Sequence, residues 1–330
     1  MIILPTLLVL ALLPAREETP TPAPPMRLFA SVFIVRGFVS GSQTGEFGAF
    51  VRNGEDTTYR LLNPSSVITF GLGYFERGST RRHYIAGGNG VHRSTDGGKT
   101  WRILTSWTTM EILSILPDPV DSARLYAATP WGVYRTTDDG ATWERKRKGC
   151  RRHFVQKLLG DRRDRQTLYA AMEDDLYRSR DGAASWEPLG VRAGQIQVVA
   201  QSPSRPGMLV VGVEDGGIWI SRDDGASWAQ SPPLSRETIY ALRFSPDGEW
   251  LYAAGWKTGL LRSRDGLSWE KIFSDDAVEA IFAVLVDPSD PLHLLIGTDG
   301  QGIYESFNNG RNWLRAGLMG AKVKQLEYYP

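Results

Sequence analysis

Short apolar runs alternate with clusters of Gly, Pro, Asp, Asn and Ser along most of the chain, and the alternation has a fixed period. One repeat shows the scheme. Thr238-Ile-Tyr-Ala-Leu-Arg-Phe244 is followed by the turn Ser245-Pro-Asp-Gly248, then Trp250-Leu-Tyr-Ala-Ala254. A Gly-bearing loop leads to Leu260-Leu-Arg-Ser263, and an Asp-containing turn to Ser268-Trp-Glu-Lys-Ile272. Apolar runs of this length bounded by turn residues predict strands, here four per repeat, labelled a to d from axis to rim.

Each repeat ends in nearly the same phrase. Ser94-Thr-Asp-Gly-Gly-Lys-Thr-Trp101, Thr136-Thr-Asp-Asp-Gly-Ala-Thr-Trp143 and Ser221-Arg-Asp-Asp-Gly-Ala-Ser-Trp228 are the full copies, and Ser179-Arg-Asp-Gly-Ala-Ala-Ser-Trp186 has the same length with its Gly shifted. Ser263-Arg-Asp-Gly-Leu-Ser-Trp269 is one residue short, and Ser306-Phe-Asn-Asn-Gly-Arg-Asn-Trp313 has Asn308 for Asp. A worn copy, Arg52-Asn-Gly-Glu-Asp-Thr-Thr-Tyr59, precedes them. The aromatic ends fall at 59, 101, 143, 186, 228, 269 and 313, a period of 41 to 44 residues. A period of this length built from strands predicts an all-β, seven-bladed propeller of four-stranded antiparallel blades.

Aligned on their turns, the a strands carry Val67, Ile112, Phe154, Ile196, Ile239 and Ile281 in one column. Two residues on stand Thr69, Ser114, Gln156, Val198, Ala241 and Ala283. The first column is expected to pack, and the second, small or neutral, to face a narrow axial channel. The last residues, Lys322 to Pro330, fit the same template with Val323 and Gln325 in the two columns, while the first repeat begins at strand b, near Ile34 to Gly41. Residues 323–328 should therefore pair with about 34–40 and close the ring, leaving no open edge.

The phrases match the Asp-box, or bacterial neuraminidase repeat, Ser/Thr-x-Asp-x-Gly-x-Thr/Ser-Trp, and the chain resembles that propeller superfamily from about residue 34 onward. With a phrase in nearly every blade it is closest in style to the photosystem II assembly-factor and sortilin-type propellers. Physically, the phrase is a c–d hairpin turn. Asp accepts from turn N–H groups, Gly allows positive φ, and Trp packs between strands. It offers too few carboxylates for a calcium loop. The three irregular copies leave the local turn geometry open.

The first residues differ. Ile2 to Pro14 is almost wholly apolar and Ala15 to Pro25 is polar and Pro-rich, which divides the chain into a signal-like segment (1–15), a Pro-rich linker (16–33) and the propeller (34–330). Thirteen apolar residues suit a secretory signal better than a span of about 20, although no Lys or Arg precedes them. The expected compartment is extracytoplasmic, secreted or periplasmic; Leu13-Pro14-Ala15 is a weak cleavage site, and the alternative is an uncleaved segment acting as a membrane tether. A net charge of +1 gives no general pull toward nucleic acid, and Cys150, the one cysteine, reads as an unreactive loop thiol.

Candidate chemistry lies on the b–c and d–a loops, where propeller sites gather. Trp107, Trp131 and Trp256 are candidate stacking or docking residues, with the basic group Arg145, Lys146, Arg147, Lys148, Arg151 and Arg152 as a docking patch for an acidic partner. Glu111, Glu237 and Glu279 start a strands and are the weak catalytic candidates, since glycoside hydrolysis needs only two suitably spaced carboxylates. A sialidase would need an arginine cluster and an Arg-Ile-Pro phrase, which are missing; xyloglucanase-type propellers place their site between two propellers, and the repeats here make one. The four histidines show no metal-ligand spacing, and no nucleophile elbow, phosphate loop or dinucleotide fingerprint is present. No cofactor or metal is expected. The resemblance implies a monomeric, non-catalytic scaffold that binds a protein or peptide on its loop face. The competing reading is a glycoside hydrolase or sugar-binding module.

Overall fold

The computed structural model describes residues 26–40, 47–54, 56, 58–63, 67–106, 109 and 111–329. The predicted runs become seven four-stranded antiparallel sheets arranged as propeller blades. Strand b of most blades is buried along its whole length, as in Leu125–Thr129, Leu168–Met172, Leu209–Val213, Leu251–Gly255 and Leu294–Thr298. Each blade is sandwiched between two others, so both faces of its central strand lack water; that is why these runs read as continuous Leu-Tyr-Ala-Ala rather than alternating. The d strands are short and lie at the rim.

The repeated phrase forms the c–d turn in every full copy. In Ser94–Trp101 the Asp96 carboxylate accepts from the N–H groups of Lys99 and Thr100 at 3.0 and 2.9 Å and from the Thr100 hydroxyl at 2.6 Å. Gly98 donates its N–H to Ser94 Oγ at 2.8 Å. The irregular copies keep the backbone bonds to the first Ser and to the Asp or Asn, and the Ser179 copy also keeps the hydroxyl bond, from Ser185 to Asp181 at 2.6 Å. Ala183, at φ 69°, takes the glycine position and donates to Ser179 Oγ at 2.8 Å. Asn308 accepts from Asn312 N–H at 2.9 Å, and the shortened copy joins Gly266 to Ser263 Oγ at 2.8 Å. The tryptophans tie blade to blade: Trp101, Trp143 and Trp228 donate their indole N–H groups to the backbone oxygens of Leu62, Leu104 and Leu189 in the preceding blade.

The last strand, Met319–Tyr329, is strand a of blade 1 and pairs antiparallel with Arg27–Ser40. Closure is as expected, but the register differs. Leu28, Ala30 and Ser31 face Tyr328, Leu326 and Gln325, so residues 325–329 pair with 27–31 and not with 34–40. The ring begins at Arg27, seven residues before the expected boundary of 34, because Leu28, Phe29, Ala30 and Val32 form a buried apolar strand directly after the Pro-rich stretch. The expected linker (16–33) overlaps this strand from Arg27 onward; its first ten residues and the signal-like segment lie outside the described residues.

The a-strand columns also need correction. Ile112, Ile196, Ile239 and Ile281 are buried as expected. In blades 2 and 4, however, Thr69 and Val155 take that place, not Val67 and Phe154, as their pairing with Gly87 and Met172 shows. A bulge follows this position in most blades, for example between Ile239 and Ala241 and between Ile281 and Ala283. One extra residue per strand is thrown out of the ladder, and that residue reaches the axis.

Candidate functional site

Antiparallel connectivity puts every b–c and d–a loop at one end of the ring. Trp131 and Trp256 lie there, 44% and 40% exposed. They belong to blades 3 and 6 and are nearly across the ring from each other. Trp107 lies outside the described residues.

The basic group is split. Arg145 and Lys146 are in strand d of blade 3, Glu144–Lys146, not in a loop; Lys146 pairs with Glu144 at 2.5 Å. Arg147, Lys148, Arg151 and Arg152 are exposed in the following loop, and none of the four is in an ion pair among the described residues. Val133 pairs with Lys146, which carries Trp131 and this loop to the same end of the blade. Of the neighbouring acids, Glu173 accepts from His153 N–H at 3.3 Å and Asp174 from the Tyr177 hydroxyl at 3.0 Å, and neither is in an ion pair among the described residues. The Cys150 thiol, packed beside Trp186, is pushed up to about 11 by burial and the charge of Asp174, which suits an inert group.

Glu111, Glu237 and Glu279 are exposed at the starts of their strands. Glu111 has φ 54°; the carbonyls of Glu237 and Glu279 accept from Gly217 and Lys257 at 2.9 and 2.7 Å. Trp256 bridges to Ala280, so the structure brings Trp256 and Glu279 together and leaves Trp131 apart.

The axial channel lies where the second column was expected to face it, and Ser114, Gln156, Val198, Ala241 and Ala283 do line it, but other residues reach further in. It encloses about 930 Å³. The residues thrown inward around it are Phe70, Leu113, Gln156, Gln197, Tyr240, Phe282 and Lys324, joined by Phe33 and Lys322. It is neither small-walled nor neutral. Lys324 Nζ sits 3.8 Å from the centroid of Phe282, which lies 4.7 Å from that of Tyr240; the Phe33 and Phe70 rings are 5.1 Å apart. Lys322 pairs with Asp299 at 3.3 Å. Burial and then the Lys322 charge, opposed by Asp299, lower Lys324 to about 8. Further along, Arg243 grips Glu327 through two bonds of 3.0 Å, beside Lys157. The signal was present as Lys322-Val-Lys324, but the alignment read only Val323 and Gln325.

No family model and no curated protein matches the chain. Solved structures share its fold. It is similar to the GH74 xyloglucanase from Xanthomonas campestris at 17% identity and a TM-score of 0.70, over 88% of this chain and 56% of that one. It is also similar to YCF48 bound to D1 peptide (18%, TM-score 0.59, 77% of this chain and 83% of that one). The extracellular domain of BT4673 from B. thetaiotaomicron matches at 13% with a TM-score of 0.63, over 85% of this chain and 39% of that one. The chain thus spans about half the xyloglucanase, and identities this low establish the propeller fold alone.

Proposed function

We propose that this chain is an extracytoplasmic, non-catalytic propeller of the Asp-box kind that docks an acidic segment of a protein or peptide partner on the loop face of blade 3. The observation that carries the reading is the exposed Trp131 at the same blade end as four cations without ion pairs, Arg147, Lys148, Arg151 and Arg152. Trp and Arg are the residues that most often anchor interfaces, and uncompensated rim cations steer an acidic partner. YCF48, a propeller of similar span, has been solved with a peptide, which agrees with this use of the fold. The compartment rests on the apolar stretch Ile2 to Pro14, and agrees with the extracellular domain among the similar structures.

A fluorescein-labelled peptide of Glu and Asp with one Tyr tests the reading by anisotropy. Reversing the four cations to Glu should abolish binding, and Trp131→Ala should weaken it about thirtyfold, the loss of one hot-spot side chain. Wild-type binding should fade as salt shortens the screening length below about 8–10 Å. Binding that survives the quadruple reversal would refute the site.

A glycoside hydrolase remains the second reading, favoured by exposed Trp256 beside Glu279. Release of reducing sugar from xyloglucan that vanishes in Glu237→Gln or Glu279→Gln would establish it.

A further inference from the structure

The axial channel carries more than the closing of a ring needs. Its lining cations are Lys157, Arg162, Arg243, Lys322 and Lys324, against Glu327. Arg243 is neutralised by Glu327 and Lys322 by Asp299. Lys324 has no ion pair among the described residues; the aromatic faces of Phe282, Phe33 and Tyr240 stand within 6.0 Å of its ammonium, and Asp299 acts on it from beyond pairing distance. An ammonium held in an apolar, ring-lined lumen has lost part of its hydration and gained only cation–π contacts in return. A monoanion would satisfy it. The walls on either side are aromatic faces, and Gln156 and Gln197 share the same inward ring, the Gln197 amide donating to Glu214 at 2.9 Å.

We propose that the axial channel is a ligand site for a small aromatic carboxylate, its carboxylate on Lys324 and its ring among Phe33, Tyr240 and Phe282. The volume, about 930 Å³, lies within the range of small-molecule pockets, roughly 300–1,000 Å³. Lys157 and Arg162, also without an ion pair, lie beside Arg243 further along, so the aromatic level holds Lys324 as its one unpaired cation among the described residues, which suits a single negative charge better than a phosphate dianion. Aromatic walls suit a ring better than a polyol, whose hydroxyls would go unpaired there. The site is separate from the loop-face patch and does not rest on it.

Calorimetric titration of the full chain with 2-naphthoate tests the proposal. Saturable one-site binding is expected, with the neutral 2-naphthamide weaker by about ten- to hundredfold, the worth of a charge-assisted hydrogen bond. Lys324→Gln should weaken naphthoate by the same factor, while Lys324→Arg retains it. Reversal of Arg147, Lys148, Arg151 and Arg152 should leave it unchanged. Absence of saturable heat overturns the proposal. So does equal affinity for the amide, a comparison that needs no variant, or wild-type affinity in a folded Lys324→Gln protein.

Discussion

Leu104 closes on Gly140 of the next blade, and the same contact recurs as Leu62 with Gly98, Leu189 with Gly225 and Ile272 with Gly310. A Cβ on Gly140, at φ +86°, would stand 2.7 Å from Leu104 Cβ. Between blades 3 and 4, Lys146 stands at the sequence position of the Leu and Ala183 at that of the Gly, buried in one cluster with Trp186. The glycines are thus kept both for backbone conformation and for room. Gly140→Ala should cost about 1–3 kcal/mol, from overpacking and a disfavoured φ. Ala183→Gly should shift stability by under about 1 kcal/mol, since relief of φ offsets the lost methyl. Denaturant melts decide; equal small effects would mean the seam does not discriminate. The tryptophans divide similarly. Trp186 is 4% exposed, so Trp186→Ala should lose about 3–5 kcal/mol, whereas Trp131→Ala, on an exposed loop, should stay within about 0.5 kcal/mol.

Among the elements, the strand that closes the ring comes from the far end of the chain. Removal of residues 319–330 would bare the edge of strand Arg27–Ser40 and strip blade 7 of its contact with Val323. We expect such a protein to aggregate or to oligomerise by edge pairing, read by light scattering; a monomer with an unchanged melting temperature would refute the role. This strand also shows what was legible in the sequence. The period, the turn phrases and the terminal strand could be read, because glycine, aspartate and tryptophan at fixed spacing mark turns directly. Bulges could not. A bulge leaves an apolar run looking regular while it moves the inward-facing position by one residue, so Gln156 was assigned as a regular column residue and Lys324 was passed over. The onset at Arg27 was hidden because Pro-rich composition was carried past its end at Pro25. Trp131 and Trp256 are exposed, as their loop positions imply, but which residues share a neighbourhood with each depends on blade number, which composition does not carry.

At the scale of the whole ring, a buried network adds to the terminal strand in joining the last blade to the first. Arg52 of blade 1 holds Glu305 of blade 7 through bonds of 2.8 and 2.6 Å. His293 meets Glu305 at 2.7 Å and Asp287 at 3.0 Å, and stacks on Phe307. Burial raises Glu305, but Arg52 and His293 outweigh it and hold the carboxyl at about 2. Burial likewise disfavours the charged His293, yet hydrogen bonds and charges from Glu305 and Asp287 raise it above its ordinary value. The two groups bound a window of stability. Glu305 contributes fully above its unfolded value, and its share, on the order of 3 kcal/mol, is lost as pH falls from about 4.5 toward 2. His293 contributes fully below about 6.5, its unfolded value, and its share is lost as pH rises through the higher folded value. Thermal melts across pH should therefore show a maximum in mildly acidic solution and a decline on both sides. His293→Gln should flatten the alkaline limb and leave the acid limb in place. Arg52→Met leaves Glu305 buried without its cation and should cost about 3–5 kcal/mol near neutral pH. An alkaline limb that persists in His293→Gln would assign the decline to other groups and remove the seam from the pH response.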